Sequence, residues 1–432
     1  MIPRIGFFLI ISLVGVVAAL ANTYEDELGE LLAEAFANHA FVDEEEDDEL
    51  EDFLANVFGE QANDEEVGLA QLLDDLIMDA EAQEVRRARF LQTRIIRKTL
   101  RDISNPFEMD PQCFRRLYRL WPVVAMRLVD ALNDQLDINK QTKIPNHLQV
   151  LTTLRFLAEC GFQEDVGQDY NHPMCQSRVS YITNRVVNAI LLQKNRWIQF
   201  PSDRQSRLQT QAEFQGTTRL TGILRLVDGF LVRMGRPHLH EEAYYNYREG
   251  PSVNVQLVCN ARGVILAIRI VPGSNNDMHN WNSSEVRELL LALRRNAAIV
   301  EDEGYHYVLG DGGYTPSVVL LTPIQNAPVI SPEWVYTREH CRTRCMVECT
   351  IGAVSGVFMA SSRSRKLYYS PEKDAEIVTA SAILHNFKRA HGMGDWEDRQ
   401  VANPDEYVEH VIDENYHAGL RELDIILEAL YR

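Results

Sequence analysis

A chain of 432 residues, 45% of them apolar, has room for two or three domains with ample cores. Its formal charge of −20 argues against a nucleic-acid partner until it is located: Asn22 to Glu84 carries 23 acidic residues and no Lys or Arg, leaving the rest of the chain at +3. Seven scattered cysteines without a Cys-x-x-Cys pair argue against a disulfide framework and for reduced thiols inside a cell.

Residues 1–21 read as a signal-like or anchor-like apolar segment. Ile5 to Leu20 is an apolar run, and Ala19-Leu20-Ala21 fits a small-x-small cleavage site. That conflicts with the thiols, and secretion, tethering or an unused signal all stay open. Residues 22–84 form an acidic tail expected to be disordered, because its charge and composition cannot offset ordering entropy. Within it, Asp26 to Phe36 is echoed by Asp48 to Phe58, which suggests docking segments or simply solvated, transiently helical chain. Arg86 to Arg101 is a basic helix that can lie along phosphates or pair with the tail before it.

Residues 85–200 read as an all-α domain. A helix from His147 to Cys160, a turn at Asn171-His172-Pro173 and a helix from Met174 to Leu192 match a helix-turn-helix, with a purely structural bundle as the alternative. Arg178 and Arg185 on that second helix, and Arg248 farther on, are candidate DNA contacts.

Residues 201–392 alternate as strands and helices. Strands are expected near Ile223–Met234, Ser252–Cys259, Val264–Val271 and Tyr305–Leu309, with a hairpin turn at Asn260-Ala261-Arg262-Gly263. A helix capped by Ser283 or Ser284 separates the last two. Asp228 and Asp311 each follow an apolar run and precede glycine, as carboxylates carried out at strand ends. Glu348 lies in a helical run from Arg338 to Ile351, and Cys341, Cys345 and Cys349 recur beside it at helical spacing, as a packed apolar stripe rather than a zinc site. Three converging carboxylates are hard ligands suited to Mg²⁺ or Mn²⁺, although a chain with 63 acidic residues supplies many such trios. Asp277, expected at the end of the third strand, is the competing acid. His385 reads as a structural histidine. Residues 393–432 form an acidic tail with a short helix.

An ordered series of tags carries a resemblance. Val227-Asp228-Gly229, Tyr245 to Gly250, Asn254 to Cys259, Pro272-Gly273-Ser274-Asn275-Asn276-Asp277, Leu309-Gly310-Asp311-Gly312-Gly313-Tyr314, Arg344-Cys345-Met346-Val347-Glu348 and Leu384-His385-Asn386 follow one another. Together, from about Met109 to Gly392, they resemble the PIF/Harbinger transposases and the Harbinger-derived nucleases. The resemblance implies an α/β, RNase H-like nuclease domain with a mixed sheet flanked by helices, behind a helix-turn-helix-like domain. It implies Asp228, Asp311 and Glu348 as catalytic residues and ligands of Mg²⁺ or Mn²⁺ in phosphodiester hydrolysis. It further implies DNA as substrate, a Myb-like partner protein, a homo-oligomer, no small-molecule substrate, and a place in the nucleus or cytoplasm. Phe230, Asn276, Ile351 and Val354 depart from the family pattern, as does Tyr181 in the helix-turn-helix, which puts DNA handling and full transposition in question. Two other readings stand beside it: a domesticated, non-catalytic DNA- or protein-binding module, and a secreted or membrane-tethered protein.

Overall fold

The computed structural model describes residues 64–138, 142–201, 203–297, 306–362, 365–394, 423, 426 and 427. The expectations for residues 1–63, including the signal-like segment and the acidic near-repeat, lie outside them. The chain divides into two units, residues 1–96 and 97–432. No helix of the described residues is long and apolar enough to cross a membrane.

Helix α1 runs from Asp64 to Ile103. Its first half, residues 64–84, falls within the stretch read from the sequence as the acidic tail. The reason for the helix is legible in composition: this stretch is built from Glu, Leu, Ala and Gln, all strong helix formers. Acids in the first half and arginines in the second also oppose the helix dipole favourably.

Helices α2 (Pro111–Tyr118), α3 (Pro122–Asp137), α4 (Asn146–Glu159), α5 (Gln163–Gly167), α6 (Gln176–Leu192), α7 (Lys194–Trp197) and α8 (Arg204–Gln215) follow. Asp110 caps α2 by accepting from the Cys113 N–H at 2.9 Å, with Pro111 in the first turn. Helix α4 ends at Cys160 in the left-handed region, and the short α5 intervenes before α6, so the two helices of the expected helix-turn-helix are joined through a third.

The sheet comprises β1 (Ile223–Arg233), β2 (Tyr245–Asn246), which follows the short helix α9 (Glu241–Tyr244), then β3 (Gly250–Cys259) and β4 (Ile265–Pro272). Helices α10 (Asp277–Asn282) and α11 (Glu285–Ala297) lead to β5 (Tyr307–Leu309) and β6 (Leu320–Leu321). Two caps make two helices where one was expected: Asn276 accepts from His279 N–H at 2.8 Å, and Ser284 from Arg287 N–H at 3.2 Å. The sheet order is β2-β3-β1-β5-β6, with β4 on β3; β1, β3 and β4 are antiparallel, whereas β5 joins β1 in parallel and β6 joins β5 in parallel. The mixed α/β class matches the sequence reading.

Helices α12 (Pro332–Val357) and α13 (Pro371–Ala390) close the fold. Both open on Ser-Pro-Glu, and Ser331 and Ser370 cap them by accepting from Trp334 and Lys373 N–H at 3.2 and 3.3 Å. Helix α12 is therefore longer at both ends than the expected 338–351. Leu423 and Ile426, from the expected C-terminal helix, are buried with Phe214 and Leu220.

The helical region and the sheet share one core. Leu154, Val186 and Ile190 of the bundle cluster with Phe230, Val255 and Leu257 of the sheet and with Ile383 and Phe387 of α13. No break in packing marks residue 200. Asn386 helps to lock this junction: its carbonyl accepts from Ile265 N–H at 2.9 Å, and its amide donates to the Ile265 and Trp197 carbonyls at 2.6 and 2.7 Å. His385 Nε2 lies 2.9 Å from the Gly263 carbonyl at the β3–β4 turn, where Gly263 has φ +69°, consistent with a structural histidine.

Candidate active site

Register sets the site. In the parallel pair β1–β5, Leu226 faces Leu309, so two residues beyond each come Asp228 and Asp311. Asp228 was expected to end its strand and does not. Strand β1 continues to Arg233, and Asp228 pairs with Leu257 in mid-strand. Beyond Leu226, where the β5 pairing ends, β3 alone carries the ladder on to Arg233, so glycine at 229 ends nothing. Asp311 does lie just beyond β5, where its side chain accepts from Gly313 N–H at 3.1 Å and closes a local turn.

The alternation of β1 and β3 assigns partners to the two faces. Asp228 shares a face with Phe230, Val255 and Leu257, the face covered by α12 and α13. Helix α12 brings Arg344 and Glu348 to it, one turn apart. Arg344 pairs with Asp228 Oδ2 at 3.4 Å and closely with Glu348 Oε1, and its side chain is 12% exposed. Glu348 thus points into the site that Asp228 borders.

The opposite face carries buried polar residues. Gln256 pairs with Gly229 in the ladder, and Asn254 sits two residues away. Asn254 donates to Asp277 Oδ1 at 2.8 Å, and Gln256 donates to the Asp277 carbonyl at 3.3 Å and to the Tyr314 hydroxyl at 3.0 Å. Asp277 opens α10 rather than ending β4. Its carboxylate presses against Gly229 so closely that a Cβ there would stand 2.1 Å from Oδ1. The missing side chain is the gap through which this acid approaches β1 from behind.

The electrostatics follow. Burial and then Asp311 push the Asp228 carboxyl well above the usual carboxylate range, Asp277 adds to the rise, and Arg344 opposes it. Burial and the same three aspartates hold Tyr314 protonated far above the usual phenol. Burial works against the charge of Arg344, but Asp228, Glu348 and Asp311 outweigh it and raise its pKa. Among the described residues, no three His, Cys, Asp or Glu side chains already stand as a ready-made metal-ligand group. The chemistry of the donors nonetheless fits a divalent cation: hard oxygens only, crowded acids, and Arg344 as a cation that opposes their effect on Asp228.

The candidate DNA contacts fall in different settings. Arg178 is exposed in the first turn of α6, 5.6 Å over the Tyr181 ring. Arg248 is exposed with its Nε donating to the Tyr247 hydroxyl at 2.8 Å. Arg185 is half-buried and donates to the Leu136 and Ile138 carbonyls at the end of α3, so it serves the bundle. Cys341, Cys345 and Cys349 are exposed, which corrects the packed stripe expected of them: the buried face of α12 is Tyr336, His340, Val347 and Val354.

Sequence reasoning passed over Arg344, Asn254, Gln256 and Tyr314 as functional residues. A signal existed for three of them. Arg344 is four residues before Glu348, and Asn254 and Gln256 interrupt an otherwise apolar strand at period 2.

The chain is similar in sequence to known proteins. Residues 227–386 match the family model described as DDE superfamily endonuclease. The chain is 26% identical over 320 residues to the Homo sapiens protein named "Putative nuclease HARBI1", covering 72% of this chain and 87% of that one. The Rattus norvegicus protein of that name is 26% identical over 335 residues, 77% and 91% of the two chains. That of Xenopus laevis is 29% identical over 270 residues, 62% and 75%. No solved structure matches the chain. The Harbinger-type DDE resemblance read from the sequence agrees with these matches, as does an RNase H-like domain behind a helical region.

Proposed function

We infer that this likeness to DDE endonucleases extends to chemistry, and that the chain is a metal-dependent nuclease acting on DNA phosphodiesters. The observation that carries the reading is the convergence of Asp228, from mid-strand, and Glu348, from α12, on Arg344, with Asp311 as the charge that most affects Asp228. A purely binding module has no need to crowd acids whose mutual repulsion costs stability.

In this mechanism Asp228, Asp311 and Glu348 are the residues that would hold Mg²⁺ or Mn²⁺. When bound, such ions activate water and stabilise the leaving 3′ oxygen. The protein's own contribution is position. The ladder fixes Asp228, the Gly313 N–H fixes Asp311, and the rigid turn Arg344–Glu348 fixes the third acid. Tyr314, kept protonated, and Gln256 are buried behind β1 and hydrogen-bonded to each other. The exposed Arg178 and Arg248 supply phosphate contacts away from it. The nucleus, with the cytoplasm, is the location this substrate implies; a Myb-like partner, a homo-oligomer and strand transfer to a target DNA belong to the same reading.

The test is nicking of supercoiled plasmid by the full chain, with Mg²⁺ and with EDTA. Asp311→Asn and Glu348→Gln should each lose about 100-fold or more in rate, and the double variant little beyond either single one, because the ligands act as a unit. Equal cutting in EDTA, or near-normal nicking by Asp311→Asn, defeats the reading.

A further inference from the structure

Arg344 occupies a place that the nuclease reading leaves without a role. Its guanidinium bridges Asp228 and Glu348, two of the three acids assigned to the metal, and its Nε is buried with no hydrogen-bond partner among the described residues. Helix stability does not explain it. An acid four residues before a base favours a helix, whereas here the base comes first, the weaker order. Packing does not explain it either, since burying a guanidinium is costly unless charges repay it. What repays it is the excess of acid: Arg344 is the counter-ion that lets Asp228 and Glu348 lie together.

A guanidinium and a divalent cation cannot both sit between the same two carboxylates. Arg344 is on a helix one turn from Glu348, and its long stem can carry the head group away from the carboxylates without moving the backbone. The planar fork it then frees is matched to a phosphate.

We propose that Arg344 is a built-in cation of the site that competes with the divalent metal for Asp228 and Glu348, and that the displaced guanidinium binds the phosphodiester being cut. The proposal rests on the nuclease reading. It makes Arg344 a substrate-gated exchange: metal and DNA phosphate together offer the acids and the guanidinium better partners than they offer each other.

Two readouts on the full chain test it. Mn²⁺ binding without DNA, followed by calorimetry or by the spin resonance of the free ion, should tighten about tenfold in Arg344→Gln, since a competing charge near two ligands is gone. Nicking by the same variant at saturating metal should instead fall about 10- to 100-fold, because the phosphate loses its partner. Tighter metal with slower cutting is the signature; a merely structural role weakens both. Arg344→Lys keeps the charge but not the fork, so its Mn²⁺ affinity should stay within about threefold of wild type while nicking falls. That variant carries the test if Arg344→Gln does not fold. Unchanged or weaker Mn²⁺ binding in folded Arg344→Gln, or nicking by Arg344→Lys at the wild-type rate, overturns the proposal while leaving the nuclease reading intact. A wild-type chain that binds no Mn²⁺ and cuts nothing overturns both.

Discussion

Asp228 and Asp374 are two carboxyls that burial pushes upward, and their surroundings make them different groups. Asp374, in the first turns of α13, is fully buried, neither oxygen has a hydrogen-bond partner among the described residues, and burial with a small addition from Glu372 raises its pKa to about 7. Asp228 is instead crowded by Asp311 and Asp277 and answered by Arg344. Desolvation alone neutralises an acid and leaves it inert. Desolvation joined to other acids and a counter-charge keeps a group poised between charged states, and that is the condition for binding a cation.

The largest effect that would sharpen this contrast is a separation of activity from stability. Asp228→Asn should reduce nicking about 100-fold or more, with the melting temperature at pH 8 no lower than wild type, because one crowded acid is removed. Asp374→Asn should leave nicking within about twofold. A variant pair in which both lose activity, or neither does, breaks the comparison.

A smaller effect concerns the approach of Asp277 through the gap at Gly229. Gly229→Ala places a methyl group 2.1 Å from Asp277 Oδ1, so the carboxylate or α10 must shift. Nicking should fall about tenfold, as a displacement near ~1 Å beside the ligands suffices for that. In an Asp277→Gly background the added methyl should cost little more, since contacting residues are not additive. Full additivity of the two changes in nicking would show that Asp277 has no part in the effect of Gly229.

The smallest effect is on the pH dependence of folding. The Asp374 carboxyl holds its proton more tightly folded than unfolded, so its contribution favours folding most below about pH 4, the ordinary aspartate value, and is lost as pH rises to about 7. Asp374→Asn, which keeps the shape of the protonated acid, should raise the melting temperature by about 2–4 °C at pH 8 and change it little near pH 4. Thermal unfolding at the two pH values decides it. An equal shift at both would mean that the charge of Asp374 is not what the wild type suppresses.

Much of this molecule was legible from local pattern. Alternation placed β1, β3 and β4 within one or two residues, Asn260 to Gly263 gave the hairpin turn with its left-handed glycine, and motif order drew attention to Asp228, Asp311 and Glu348. These are properties of neighbouring residues, because side-chain period and glycine's backbone freedom are set by the residue itself. Other features belong to the assembled fold. The mid-strand place of Asp228 depends on β3, which holds the ladder beyond it after the β5 pairing has stopped at Leu226. The commitment of Arg185 to α3, the core shared across residue 200, the entry of Asp277 behind Gly229 and the bridging by Arg344 join residues that are far apart in sequence. Sequence order fixed which acids were available; only packing decided which of them meet, because a buried charge is tolerable only where the rest of the fold supplies its partner.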